Sequence, residues 1–357
     1  MAFHQVEGIL LVRLMSRCNE KCLFCMVADE IATSDDVAFR DAVDRIEAQP
    51  PGTQIEFFGG EPTIYPRFLD LLRVARRRGH PCSIASNVRI FHSDAFVRSV
   101  AELGHEQIYI RTSLYGDTEA LHDYYTAAPG SYRQTVRGIE HIVAAGFPCQ
   151  VNCVILKENV DRLESMTRLV KQWGVPRIKY GMLTDVDTCA SHATPLATAG
   201  PALVRAIAVA ESLGLAVTVE KTPVCAIGGR LDLISTEREI YGGTRVYDDA
   251  GACGGCLVRR WCDGLDPGYA RRFGNGELAT LRTVPRTAIN GSPAGVPPPA
   301  LLRAYCVEIP RARPEPAEVE SLAGVLGDVL ARHGRLAVFP TQYVVDEMAV
   351  ALRPDDN

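Results

Sequence analysis

A chain of 357 residues, 47% of them apolar and with a formal net charge of −5, can bury a sizeable core, exceeds one ordinary domain, and lacks the general basic footprint of a nucleic-acid or membrane-surface binder. Its first residues, MAFHQVEGILLVRL, hold no basic stretch and only five apolar residues in a row before Arg13, so they are neither signal peptide nor membrane span, and a cytoplasmic location is expected. In that reducing compartment the twelve cysteines are not read as disulfides, and seven of them fall in two close-spaced sets that point to metal.

The first predicted strand, residues 8–14, runs into RLMSRCNEKCLFCMVADE, where Cys18, Cys22 and Cys25 form a Cys-x3-Cys-x2-Cys run. Thiolates are soft ligands that select zinc, Cu(I) or iron–sulfur clusters. Three of them would leave one iron of a four-iron cube without a protein ligand, and that open iron is a place for chemistry. A structural zinc site wants four closed ligands, and this loop has no fourth Cys or His. A helix over 34–48 then leads to a strand at 54–58 that ends in FFGGEPTIYP, where Gly59 and Gly60 allow a close backbone approach and Glu61 faces the ligand side.

Alternation continues with helices at 65–78, 93–103, 131–145, 160–173 and 201–213, and strands at 81–86, 107–114, 149–156, 177–183 and 216–220. Such βα alternation predicts parallel strands with covering helices, and ligands of such folds sit at the carboxyl ends of the strands. Strand parity places Tyr109, Arg111 and Ser113 on one face and Ile108, Ile110 and Leu114 on the other; Gln150, Asn152 and Val154 likewise alternate with Cys149, Val151 and Cys153. The polar set should face inward, which makes Cys149 and Cys153 packing residues; Cys82 and Cys306 are read as inert. Cys189, in LTDVDTCASHATP after the sixth strand, lies beside Asp185, Asp187 and His192. It could donate a hydrogen atom to a substrate radical, bind a substrate sulfur, or be a plain loop cysteine.

The second set is Cys253, Cys256 and Cys262 in CGGCLVRRWCDGLDPGY, with Cys225 upstream. Four thiolates can close every corner of a cube, and they equally suit tetrahedral zinc. Arg230, Arg259 and Arg260 could offset a cluster's negative charge or form a solvated basic face. A Pro/Gly-rich linker over 290–299 precedes a tail with a helical pattern at 315–333, a short strand LAVFP and a last helix from Tyr343. The expected division is 1–219, 220–282 and 283–357.

The cysteine spacing with aromatic Phe24 before the third cysteine, GGEP one βα unit later, and SLYGDTEALHDYYTAAPGSYRQTVRGIEHIVAAGFPCQVNCVILKENVDRL together resemble the radical SAM enzymes over about residues 8–262. In the last stretch Ser113, His122, Asp123, Gly130, Ser131 and Asn159 fall at spacings familiar from the SPASM-type branch. The resemblance implies a partial (β/α)6 TIM-like barrel and a [4Fe-4S] cluster on Cys18, Cys22 and Cys25. S-adenosylmethionine would chelate the open iron, and an electron from a donor such as flavodoxin or ferredoxin would cleave it to a 5′-deoxyadenosyl radical. It also implies that Gly59, Gly60 and Glu61 hold the methionyl ammonium, that Asn87 lies on the ribose side, and that Ser113 approaches the carboxylate or ribose. Phe24, Arg111 and Asn152 complete the expected cofactor set. Cys225, Cys253, Cys256 and Cys262 look like a twitch or truncated SPASM extension with an auxiliary [4Fe-4S] cluster.

Many members of that branch modify ribosomally made peptides, so peptide crosslinking, thioether formation or epimerisation is the leading expectation. Because Cys18 stands so near residue 1, leader binding is expected from the tail or from a separate protein. A small molecule, a cofactor precursor or a tRNA base is the enzymatic alternative, and a non-catalytic iron–sulfur or zinc scaffold is the alternative of another class; no membrane partner is expected.

Overall fold

The computed structural model describes residues 3–6, 8–25, 36–184, 187, 189–230, 233–234, 245–256, 258–259 and 262–282. The linker and tail elements expected after residue 283, together with Asp185, Arg260 and Cys306, lie outside the described residues. Eight strands form one sheet in chain order: β1 (Phe3–Val6), β2 (Ile9–Met15), β3 (Gln54–Gly59), β4 (Cys82–Ala85), β5 (Ile108–Ser113), β6 (Cys149–Ile155), β7 (Arg177–Met182) and β8 (Ala216–Glu220). β1 runs antiparallel to β2, and every later pair is parallel.

Parallel neighbours need crossovers, which are supplied by α1 (Phe39–Glu47), α2 (Phe68–Arg77), α3 (Asp94–Ala101), α4 (Glu119–Thr126), α5 (Ser131–Ala144), α6 (Leu163–Gln172) and α7 (Leu196–Ser212). The result is a partial TIM-like barrel. A short α8 (Pro267–Phe273) follows in the cysteine-rich region. No helix among the described residues is long and apolar enough to cross a membrane.

Register separates the two faces of the sheet. Leu10, Ile55, Cys82, Ile108 and, one step on, Val12, Phe57, Ile84, Ile110, Cys149 are aligned across neighbouring strands and are buried under the helices. Each such aliphatic or aromatic side chain contributes about 1.5–3 kcal/mol relative to an exposed position. The opposite face carries Glu56, Ser83 and Tyr109, then Arg111 and Gln150, then Ser113, Asn152, Lys179 and Thr218, so the barrel interior is polar as parity predicts. Cys82, Cys149 and Cys153 are buried on the helix-facing side.

Four elements depart from the sequence reading. β1, α4 and α8 were not expected; α4 is a short helix whose Thr118 caps it by accepting from the Leu121 amide. α7 begins at Leu196 rather than at Pro201, with the proline inside the helix. Its first amides are satisfied from far away: Leu196 and Ala197 donate to the Glu277 carboxylate at 3.1 and 2.9 Å, where an acid also suits the helix dipole.

Candidate functional site

The cysteine loop leaves β2 at the carboxyl edge of the barrel and is held by backbone on two sides. The amides of Lys21 and Leu23 donate to the carbonyls of Thr126 and Tyr125 at the end of α4, both at 2.9 Å. On the other side the Gly60 amide donates to Met15 O at 2.8 Å and the Glu61 amide to Arg17 O at 2.9 Å. Here the glycine pair has a physical reason. A Cβ on Gly60 would lie 2.1 Å from Arg17 O and 2.3 Å from Ser16 O, and Gly59, at φ +140°, would place one 2.3 Å from Met15 O. Both glycines therefore serve contact with the cysteine loop itself.

Glu61 is 1% exposed. Its Oε1 accepts from the Thr63 amide and hydroxyl and from Ser86 Oγ at 2.8 Å, and its Oε2 from the Asn87 amide at 2.7 Å. It thus caps the 3-10 turn Pro62–Ile64 and ties the end of β3 to the end of β4. Burial still pushes its carboxyl above the usual range, with the hydrogen bonds opposing. Asn87 donates to Asn19 Oδ1 at 2.6 Å, inside the cysteine loop. Arg89 binds the Asn19 carbonyl and Gln134, the latter at 2.8 Å.

Glu20, which parity and motif left unnoticed, is 6% exposed, and burial raises its carboxyl to about 7 against the pull of Arg89. Phe24 is buried edge-on against Tyr115 and Tyr125, with ring centres 4.9 and 5.6 Å away.

On the inner face Arg111 forms a buried ion pair with Glu56, a residue the sequence reading did not single out. Asn152 accepts from Gln150 at 2.7 Å, and Ser113 hydrogen-bonds the Tyr115 hydroxyl. The residues spaced along the SLYG stretch shape the loops at the mouth. Asp123 accepts from Ser131 Oγ and the Tyr132 amide at 2.8 Å each and from the Gly130 amide, binding the start of α5. Asn159, fully buried, accepts from the Leu156 amide and donates to the carbonyls of Tyr115 and Val154. His122 is 1% exposed, and burial lowers its imidazole to about 4. Cys189 is 3% exposed among core side chains, while Asp187 on the same loop is exposed and paired with Arg271.

The donor chemistry of the first set fits a metal cluster. Burial pushes the Cys18 thiol up to about 12, and Glu61, Glu20 and Cys25 reinforce it; burial and Glu20 likewise raise Cys22. Thiols so placed keep their protons against water and would release them only to a bound metal centre. Among the described residues no three Cys, His, Asp or Glu side chains surround a single-ion position. Cluster thiolates each bind a different iron and need not converge on one point.

In the second set Cys225 lies within electrostatic range of Cys253, Cys256 and Cys262. Cys262 Sγ accepts from the Val224 and Gly264 amides at 3.3 and 3.4 Å. Arg259 lies over the Tyr247 ring and pairs with Asp249, whereas Arg230 pairs with Glu211 at 2.7 Å.

Residues 12–170 match the family model of the Radical SAM superfamily. The chain is 30% identical over 174 residues to a PqqA peptide cyclase of Gluconobacter oxydans, which covers 48% of each. It is 28% identical over 174 residues to a tungsten-containing aldehyde ferredoxin oxidoreductase cofactor-modifying protein of Pyrococcus furiosus, covering 46% of this chain and 49% of that one. An AdoMet-dependent heme synthase of Oleidesulfovibrio alaskensis is 25% identical over 190 residues, 51% of this chain and 47% of that one. The chain thus spans about half the length of these curated relatives. Among solved structures, native anSMEcpe with bound AdoMet has a TM-score of 0.50 at 14% identity over 70% of both chains. Streptococcus suis SuiB bound to S-adenosylmethionine also has a TM-score of 0.50, at 17% identity over 59% of this chain and 49% of that one. At these identities the likeness is one of fold.

Proposed function

From the match of residues 12–170 to the Radical SAM superfamily model, we propose that this chain is a radical SAM enzyme acting on a ribosomally made peptide by crosslinking, thioether formation or epimerisation. When bound, S-adenosylmethionine and a [4Fe-4S] cluster would supply a 5′-deoxyadenosyl radical able to abstract an unactivated hydrogen. The observation that carries the reading is the close backbone seating of the Cys18–Cys22–Cys25 loop on Gly59 and Gly60, with buried Glu61 locked between the ends of β3 and β4.

In this reading Cys18, Cys22 and Cys25 hold the cluster, Glu61 with Gly59 and Gly60 orients the ammonium, and Asn87 and Ser113 border the remaining cofactor. Cys225, Cys253, Cys256 and Cys262 hold an auxiliary cluster in a unit of residues 220–282 that follows a barrel unit of 1–219. Residues 283–357 form a third part. A flavodoxin or ferredoxin supplies the electron, and a separate protein or the tail presents the peptide leader. The peptide substrate is supported by the likeness to the PqqA peptide cyclase. The heme synthase and cofactor-modifying relatives favour the second reading, a step on a small molecule or cofactor precursor.

Replacing Cys18, Cys22 and Cys25 together by Ala should abolish deoxyadenosine formation in the anaerobically reconstituted full chain while about half of the iron remains, since each of two cubes holds an equal share. Undiminished deoxyadenosine would end the radical SAM reading. A wild-type chain that binds iron and forms none would leave a non-catalytic scaffold.

A further inference from the structure

The turn that follows β4 carries a backbone that its side chain resists. Val88 has a left-handed φ of 56° with ψ 14°, a conformation in which a β-branched residue is an outlier. It is fully buried, its amide donates to Ser86 Oγ at 2.9 Å, and its carbonyl accepts from the Phe91 amide at 3.0 Å. α5 presses on the same turn. A Cβ on Gly138 would lie 2.2 Å from Val88 O, and Thr135 Oγ1 donates to Asn87 O at 3.2 Å. Strain of this kind persists only where the surroundings over-determine it, and it collects at sites whose geometry matters.

The strained turn fixes the side chain of Asn87. Its Oδ1 accepts from the Arg89 amide at 3.1 Å and its backbone N–H donates to Glu61 Oε2 at 2.7 Å, which leaves Nδ2 turned to the cysteine loop. Nδ2 has two protons to give. It stands 2.6 Å from Asn19 Oδ1 and 3.9 Å from Cys18 Sγ, the outer reach of a hydrogen bond to the larger sulfur atom. The Glu20 amide approaches the same sulfur from within the loop at 3.4 Å. The Glu20 carboxyl, also close to Asn87, is engaged with Cys22 Sγ at 3.6 Å. As a thiol Cys18 can donate to Asn19 Oδ1, 3.9 Å away; as an iron-bound thiolate it can only accept, and a charged acceptor shortens its hydrogen bonds. Reducing a cluster adds negative charge to its sulfurs, so a donor aimed at one of them favours the reduced state and raises the potential.

We propose that Asn87 donates a hydrogen bond to the Cys18 thiolate and thereby sets the reduction potential of the cluster, and that Val88 and Gly138 are the positioning residues that hold it there. The inference rests on the cluster assigned above to Cys18, Cys22 and Cys25.

A redox titration of the anaerobically reconstituted full chain tests it, following the EPR signal that joint replacement of those three cysteines removes. Done without S-adenosylmethionine, it is blind to any contact of Asn87 with the ribose. Asn87→Ala should shift the equilibrium toward the oxidised cluster by about tenfold, about 59 mV downward for one electron. Asn87→Asp keeps the shape and the acceptor for the Arg89 amide but sets an anion beside the thiolate, so it should shift the potential further down. Gly138→Ala displaces Val88 O without touching a cysteine and should also lower the potential, whereas Arg137→Gln, exposed on the same helix, should not. In the reduced wild type, with 15N in the asparagine side chains, pulsed EPR should show a weak nitrogen coupling; that measurement needs no variant to fold.

Wild-type potential in Asn87→Ala, a fall confined to Asn87→Asp, or no 15N coupling would overturn the donor, and wild-type potential in Gly138→Ala would overturn the positioning pair. A cluster that shows these shifts in a chain that forms no deoxyadenosine overturns only the function proposed above. A chain that cleaves S-adenosylmethionine with one potential in every variant overturns only this inference.

Discussion

Glu61 has two jobs that one substitution can separate. As the acceptor of Thr63, Ser86 and Asn87 it joins two strand ends, and as a candidate cofactor ligand it would face an ammonium. Glu61→Gln turns one acceptor into a donor beside buried donors, so unfolding stability should fall by about 1.5–3 kcal/mol, and S-adenosylmethionine affinity by about one to two powers of ten. Urea unfolding and a spectral titration of the cluster measure the two losses. Lost stability with wild-type cofactor affinity would reduce Glu61 to a cap.

His122 gives a pH signature. Burial depresses its folded pKa to about 4 from 6.5, so its contribution to stability is complete above pH 6.5 and drains away as pH falls toward 4, because the unfolded chain takes up the proton first. Between pH 7 and pH 5 this single site should cost the wild type about 2 kcal/mol that His122→Asn does not lose. Equal losses in both proteins, read by urea titration at the two pH values, would show that His122 does not titrate this way.

At the scale of elements, the turn after β3 and the loop after β2 are one unit packed backbone to backbone. Gly60→Ala forces a methyl group onto two carbonyl oxygens, so the loop must shift, and iron retained after reconstitution should drop by more than half. Gly276→Ala, with open space around it, should be neutral within about 0.5 kcal/mol. Retained iron in Gly60→Ala would mean that the loop tolerates the shift.

The sequence made the parallel strands legible because a polar interior and an apolar exterior impose a two-residue alternation that Tyr109 to Leu114 and Cys149 to Val154 display. The thiolate loop was legible because its ligands are local. Glu56 under Arg111, and Glu277 at the start of α7, were not: each partner lies 55 to 81 residues away and leaves no local mark. For the same reason the sequence marks Pro201 as a helix start, although the cap supplied by Glu277 lets α7 begin a turn earlier.

Across the whole molecule, the two cysteine sets lie at opposite ends of the described chain, and each has its own backbone support. Replacing Cys225, Cys253, Cys256 and Cys262 should therefore remove about half of the iron and the modified product while deoxyadenosine is still formed. One equivalent of zinc beside only four irons in anaerobically purified wild type would refute an auxiliary cluster. The sheet, meanwhile, is ordered as the chain is: every strand pairs with the one made just before it. The cysteine loop is the exception, since Lys21 and Leu23 wait for the carbonyls of Thr126 and Tyr125, about a hundred residues downstream. On the ribosome, then, the three thiols emerge well before their second support exists. Stalled nascent chains ending short of α4 should hold iron poorly, and chains extended past α5 should hold it well, so that cluster assembly is timed by synthesis of a helix that contributes no ligand.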